Sequence, residues 1–189
     1  LVDIGYLTTE VMTVQGDAIT SLKNIPMGGG HIAADLAYGL EIPLQSAEQI
    51  KRGYVYGLSA GQSTFEGTDL TGASKTFTRE QVEEVLEPRA EEICEAIRDA
   101  IAESGMKLGK WSPVYLTGGG LAFNRGALNY LSSKLGRPVR EISKKAAKLN
   151  SHTYSSVLGV MDLIIGTIEM ERTQTTNPFM RFFHRLMGD

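Results

Sequence analysis

Two glycine triplets constrain this chain more than any other feature. Gly28-Gly29-Gly30 and Gly118-Gly119-Gly120 each stand between a β-forming run and a segment of helical periodicity. Val114 to Thr117 is a short apolar run that reads as a buried strand, and it leads straight into the second triplet. Asn124 then stands where it can cap a helix carrying Leu128, Leu131 and Leu135. Strand, glycine turn and helix leave backbone N–H groups at a helix start, where an anion or a flat ring can come close. One such turn can equally be a tight connection and nothing more; two in one chain favour a binding role.

Composition narrows the class. The 189 residues suffice for one large domain or two small ones, and 42% hydrophobic with 22% charged residues is ordinary for a globular protein. A net charge of −3 argues against a nucleic-acid partner of the usual basic kind. The single cysteine, Cys94, excludes an internal disulfide framework and falls in a helical pattern with Ile93 and Ile97, where a buried small side chain outweighs a nucleophile. No run of about 18 apolar residues and no signal peptide is present. The sequence opens without methionine inside a strand-like run, Leu1-Val2-Asp3-Ile4-Gly5, and is expected to be cut from a longer protein whose N-terminal part is missing.

In chain order, residues 1–27 read as an antiparallel meander: Leu1 to Ile4, Thr8 to Val14, a turn at Gln15-Gly16-Asp17, and Ala18 to Met27. A helix follows from His31 to Leu40, with Ile32, Leu36 and Leu40 at a spacing of four. His31, in its first turn, either caps or packs. Ile42-Pro43 breaks the pattern, and Ser46 to Tyr56 resumes it with Ala47, Ile50 and Tyr54 on one stripe and Glu48, Lys51 and Arg52 on other faces. Residues 57–77 suit short exposed strands or a long loop. Thr78 with Glu80 and Gln81 signals the start of the longest helix, running to Ser104 past Pro88, which can kink or break it. After a linker from Gly105 to Pro113 come the Val114 strand, a helix from about Asn124 to Leu135, a strand at Val139 to Ile142, and a helix from Ser151 to Glu171.

Three features in fixed order carry a family resemblance. They are Asp3-Ile4-Gly5 with Thr8-Thr9, then Gly28-Gly29-Gly30-His31-Ile32 with Asp35 and the Ala47-Glu48-Gln49-Ile50-Lys51 run, then Leu116-Thr117-Gly118-Gly119-Gly120. The chain resembles the C-terminal lobe of the actin-like ATPase superfamily, and within it most resembles the FtsA family of bacterial cell division. The resemblance implies an α/β fold: a ribonuclease H-like lobe whose mixed sheet is flanked by helices, with a smaller α+β subdomain inserted. The divisions implied are residues 1–30 and 109–171 as a 2A-like subdomain, 31–108 as a 2B-like subdomain, and 172–189 as a linker and C-terminal amphipathic helix.

The resemblance also implies roles. Asp3 matches the aspartate that orders Mg²⁺ and its water shell, the one catalytic assignment. No side chain is expected to hold the metal directly. Gly5, Thr8 and Thr9 match the second phosphate loop, although Tyr6 and Leu7 stand where glycines are usual, and a bulky Cβ there hinders close approach to phosphate. Gly28, Gly29 and Gly30 would lie near phosphates and ribose. Glu48 and Lys51 match positions that contact ribose and adenine, though i,i+3 and i,i+4 pairs on a solvated helix face explain such charges equally simply. Gly118, Gly119 and Gly120 match the adenosine motif. The cofactor implied is ATP with Mg²⁺, held in a cleft whose opposite wall lies on a lobe this sequence lacks. The enzyme implied is at most a slow ATPase, not competent as an isolated lobe.

The C-terminus carries its own physical signal. At about 100° per residue, Phe179, Phe182, Phe183 and Leu186 share one helical face, with Arg181 and Arg185 on the other. Between Arg172 and Gly188 there are three arginines and no acidic residue. This suits a helix lying in a membrane interface; docking of the phenylalanine face on protein is the competing reading. By resemblance the partners are the C-terminal peptide of the tubulin-like protein FtsZ, received on residues 31–108, and further copies in a filament. The location implied is the cytoplasmic face of the cell membrane at the division site. The leading expectation is a membrane-tethered adaptor that binds ATP and recruits FtsZ. The alternatives are an active ATPase of the same superfamily, of pilus-assembly or chaperone type, and a degenerate scaffold without nucleotide.

Overall fold

The computed structural model of the chain describes residues 1–16, 18–57, 63–109, 111–121, 124–142, 157, 159–161, 164 and 165. The chain divides into two units, Leu1–Thr153 and Tyr154–Asp189. In the second, residues 157, 159–161 and 164–165 are helical, and Val157, Val160, Met161, Ile164 and Ile165 are exposed. The rest of the helix expected over 151–171, and the whole tail at 172–189 with its Phe179, Phe182, Phe183, Leu186, Arg181 and Arg185, lies outside the described residues.

The first unit is built on one sheet. Its strands are β1 (Val2–Ile4), β2 (Thr9–Gln15), β3 (Ala18–Ile25), β6 (Val114–Thr117) and β7 (Val139–Glu141), in the order β3-β2-β1-β6-β7. The β1–β2 and β2–β3 pairs are antiparallel; β1–β6 and β6–β7 are parallel. The expected meander and mixed sheet are therefore present. Between β3 and β6 the chain makes α1 (Gly29–Gly39), α2 (Leu44–Gly53), a hairpin of β4 (Thr64–Thr68) and β5 (Ser74–Thr78), and α3 (Arg79–Glu103); α4 (Ala127–Leu135) joins β6 to β7.

Burial follows the expected periodicities. Val2, Ile4 and Val11 alternate into the core on the strands, while Ile32 and Leu36 on α1 and Val82, Leu86, Ile93 and Ile97 on α3 supply the helical stripes. Cys94 is 1% exposed, and burial pushes its thiol up to about 12. It packs as a small apolar side chain.

Several boundaries differ from the sequence reading for identifiable reasons. The uncertain 57–77 stretch contains the β4–β5 hairpin, with Phe65 paired to Phe77 and both rings buried. Helix α2 starts at Leu44, with Pro43 at its cap, because proline's fixed φ suits a helix entrance. It stops at Gly53, and Tyr54 turns extended and fully buried. Helix α3 runs unbroken through Pro88. The lost N–H costs one helical bond, but Leu86, Ala90 and Ile93 on either side are fully buried and hold the helix together. Its start is the expected capping box: Gln81 N–H donates to Thr78 Oγ1 at 3.3 Å, and Thr78 N–H donates to Gln81 Oε1 at 2.9 Å.

Asn124 corrects a larger expectation. It does not cap α4; Gly126 does, at φ +79°, where a Cβ would strike the Tyr56 carbonyl. The Asn124 side chain instead reaches across to α2, where Nδ2 donates to the carbonyls of Lys51 and, at 3.1 Å, Tyr54. These carbonyls end a helix and need a donor. Asn124→Leu, which leaves the Tyr54 carbonyl unmet and the Lys51 carbonyl with the Tyr54 N–H at 3.2 Å, should cost about 1–3 kcal/mol, against about 1 kcal/mol for loss of the Thr78 cap in Thr78→Ala. Urea unfolding midpoints of the two variants check the order.

Candidate functional site

Parallel strands β1 and β6 end together, with Asp3 paired to Thr117. The loops that leave them, Gly5–Thr8 and Gly118–Gly120, therefore emerge side by side at the carboxyl edge of the sheet, the usual place for ligands in α/β folds. The start of α1 meets them there. Backbone fits against backbone: a Cβ on Gly29 would strike the carbonyl of Gly120, one on Gly120 would strike the carbonyl of Gly5, and one on Gly28 would lie 2.5 Å from that same Gly5 oxygen. Gly118, at φ +92°, carries the Asp3 carboxylate against its α-carbon, where a side chain would collide with both Asp3 Oδ1 and the Ile4 carbonyl.

This fit uses the N–H groups that the sequence alone leaves open. Gly120 N–H donates to Ile4 O at 2.7 Å, Gly29 N–H to Gly5 O at 2.9 Å, and Gly30 N–H to Tyr6 O at 2.6 Å. Gly28 N–H is taken by Nδ1 of His31 at 3.1 Å, so His31 caps the helix start. The amino end of α1 is thus closed to an anion, because its donors are already met. Thr9 departs from expectation too. It is fully buried, and its hydroxyl donates to Met27 O at 2.7 Å, which removes it from any surface a nucleotide could reach. Thr8, by contrast, is exposed. Among the described residues, the N–H groups of Tyr6, Leu7 and Thr8 meet no backbone carbonyl.

Helix α2 adds the charged part. Lys51 is 1% exposed, which removes the alternative of a solvated face for it. Its Nζ donates to Gly29 O at 2.9 Å, lies 2.8 Å from Glu48 Oε2, and sits 5.5 Å from the centre of the Tyr6 ring. Burial lowers the Lys51 pKa, opposed by the hydrogen bond and charge of Glu48. Glu48 also accepts from Arg52 Nε at 2.9 Å, so one carboxylate joins a buried cation to an exposed one. The Tyr6 ring covers Gly30, where a Cβ would lie 2.7 Å from Cε1.

The structure therefore gathers Asp3, Gly5, Thr8, Gly28, Gly29, Gly30, Glu48, Lys51, Gly118, Gly119 and Gly120 around one edge, with Gly119 exposed between buried neighbours. The residues fit an adenosine–phosphate ligand in part. Exposed Gly119, the partly exposed Glu48 carboxylate and the Tyr6–Thr8 donors suit it; the amino end of α1 and the buried Thr9 hydroxyl do not. Two contributors were not read as such from sequence. Asn124 looked like a cap, and Tyr6 looked only like a misplaced glycine; the one signal available for it was a bulky aromatic inside a turn.

A mixed β3-β2-β1-β6-β7 sheet with helices, and with α2, α3 and a hairpin inserted before β6, is a lobe of the actin-like ATPase fold. MreB5 of Spiroplasma citri, solved bound to AMPPNP, superposes with a TM-score of 0.63 over 90% of this chain and 54% of that one, at 20% identity. Within that fold the chain belongs to the FtsA family (Cell division protein FtsA), whose profile matches residues 1–159. It is 28% identical to FtsA of Bacillus subtilis (strain 168) over 165 residues, 85% of this chain and 37% of that protein. It is 25% identical to FtsA of Escherichia coli (strain K12) over 198 residues, 94% of this chain and 47% of that protein. The chain thus spans less than half the length of these relatives.

Two outcomes test this geometry. Gly29→Ala places a methyl against Gly120 backbone that cannot swing aside and should cost about 3 kcal/mol or more. Gly53→Ala, with nothing within 4 Å, should be neutral or stabilise by a few tenths to about 1 kcal/mol, as denaturant unfolding would show. The second test concerns pH. With a folded pKa below its unfolded value, Lys51 releases its proton sooner in the folded state, so between the two values the unfolded state holds more protons and stability rises with pH. The stability of the wild type relative to Lys51→Met should therefore increase as pH rises toward about 10.5, the ordinary lysine value. Parallel unfolding curves across that range would refute the buried-lysine assignment.

Proposed function

We propose that this chain is the C-terminal lobe of a membrane-tethered, actin-like adaptor of bacterial division, which binds ATP with Mg²⁺ against a second lobe and brings FtsZ to the membrane. The observation that carries the nucleotide part is the meeting of the Gly5–Thr8 loop, Gly118–Gly120 and the Glu48–Lys51 pair at one sheet edge in a member of the FtsA family. In this reading Gly118, Gly119 and Gly120 face adenosine and Glu48 reaches the ribose. The N–H groups of Tyr6, Leu7 and Thr8 meet phosphate, and Asp3 orders the magnesium's water. Bound Mg²⁺ would neutralise charge developing on the phosphates. Gly28–Gly30 act behind the wall by fixing its loops. With the donors at α1 engaged internally, hydrolysis is slow or absent, which favours adaptor over enzyme.

The domain reading proposed is a 2A-like part at 1–30 and 109–171, a 2B-like insertion at 31–108, and a tail at 172–189. FtsZ docks on the insertion. In support, a groove of about 190 Å³ beside the end of α3 is lined by Arg98, Ile101 and Leu108 of the insertion together with Leu135 and Arg137 of the 2A-like part, which suits a short apolar peptide bearing acidic residues. The membrane part rests on the tail sequence. Among the described residues no helix is long and apolar enough to cross a membrane; in this reading attachment is by Phe179, Phe182, Phe183 and Leu186, with Arg181 and Arg185 on the opposite face. Self-association into filaments multiplies a modest affinity per copy and places the protein on the inner membrane face at the division site.

One experiment joins these parts. FtsZ is sedimented with anionic liposomes in the presence of the full-length protein, intact or lacking residues 179–189. FtsZ should pellet only with the intact protein. Equal recovery with both would sink the tethering claim, and no recovery with either would sink the FtsZ claim.

A further inference from the structure

We infer that Tyr6 sets which nucleotides this wall accepts, by closing it against the terminal phosphate. The inference rests on the nucleotide reading above and names a selectivity within that site.

Among the described residues, the positive features that the contacts above bring to the wall are the amino end of α1, Lys51 and Arg52. Each is answered inside the chain. At α1 the donors of Gly29 and Gly30 are met by the carbonyls of Gly5 and Tyr6, and the donor of Gly28 by His31. Lys51 has Gly29 O on one side, the Glu48 carboxylate on another and the Tyr6 ring on a third. Arg52 shares Glu48. The Asp3 carboxylate lies against Gly118, a negative charge at the same edge. A polyphosphate brought to this wall meets no uncommitted cation among these groups. An adenosine, uncharged, loses nothing by that.

Tyr6 is common to two of these answers. Its carbonyl holds Gly30 N–H, and its ring covers Gly30 and faces Lys51. Glycine in its place removes the ring from both Gly30 and Lys51. The ring is half exposed, at 49%, so it is held by these two contacts and not by the core. Removing it uncovers Lys51 Nζ toward the Gly5–Thr8 loop, whose own N–H groups at Tyr6, Leu7 and Thr8 meet no backbone carbonyl among the described residues. The charge then adds to the loop donors on the last phosphate, where ATP and ADP differ.

The test uses full-length protein as wild type, Tyr6→Phe and Tyr6→Gly, with equilibrium titration of ATP and of ADP in the presence of Mg²⁺. The wild type should bind ATP no more tightly than ADP, and Tyr6→Phe should match it because the ring remains. Tyr6→Gly should gain at least about tenfold for ATP relative to ADP. Wild type favouring ATP by about tenfold or more overturns the inference, and this arm stands even if Tyr6→Gly fails to fold. Equal gains for both nucleotides in Tyr6→Gly also overturn it, because relief of crowding alone does not discriminate phosphates. Failure of every protein to bind either nucleotide would instead remove the nucleotide reading on which the inference stands.

Discussion

The architecture of this edge depends on backbone meeting backbone with no side chain between. Ile4 and Gly5 carbonyls accept from Gly120 and Gly29, and the α-carbons of Gly29 and Gly120 come so close that either could not carry a methyl. Three chain segments far apart in sequence are thereby set at fixed distance. A carbonyl buried at a loop needs a donor, and here each loop supplies what its neighbour lacks. The mutual satisfaction explains why glycine occurs at these positions, and it also explains why the same N–H groups cannot serve an external anion. Rigidity of the wall and availability of its donors are alternatives, and this chain takes the first at α1 and keeps the second only at the turn after β1.

The charged pair on α2 follows the same logic. A lysine at 1% exposure would normally be costly, yet Lys51 has a carbonyl, a carboxylate and an aromatic face around it. The carbonyl it meets belongs to Gly29, the residue that touches Gly120, so the ion pair braces the glycine contact from behind. The position that the resemblance assigns to a nucleotide contact is here partly structural. Glu48, at 19% side-chain exposure, is the member of the pair that a ligand can still reach.

Much of this was legible in the residues. The β-meander, the α1 and α3 stripes, the Thr78 cap and the order of the glycine segments all follow from local periodicity and turn chemistry, and the glycine segments are among the features that carry the family resemblance. The failures share a cause. Asn124 reads as a cap because its local sequence suits one, and only the tertiary approach of α2 gives its amide better acceptors. Lys51 reads as a nucleotide contact, with a solvated helix face as the alternative, and its burial is decided by a carbonyl twenty-two residues upstream in sequence. Thr9 reads as a phosphate ligand from the motif, but strand alternation points it inward to Met27. Local pattern fixes which elements form; which polar groups are left over is a property of their assembly.

The amide of Asn124 has one more consequence. It fastens the last turn of α2 to the segment between β6 and α4 through two carbonyl acceptors. Any ligand that shifts α2, by drawing on Glu48, must either break those buried bonds or carry the β6–α4 connection with it. The side chain thus acts as a mechanical coupling, tying a displacement at the end of α2 to the connection that leads into α4.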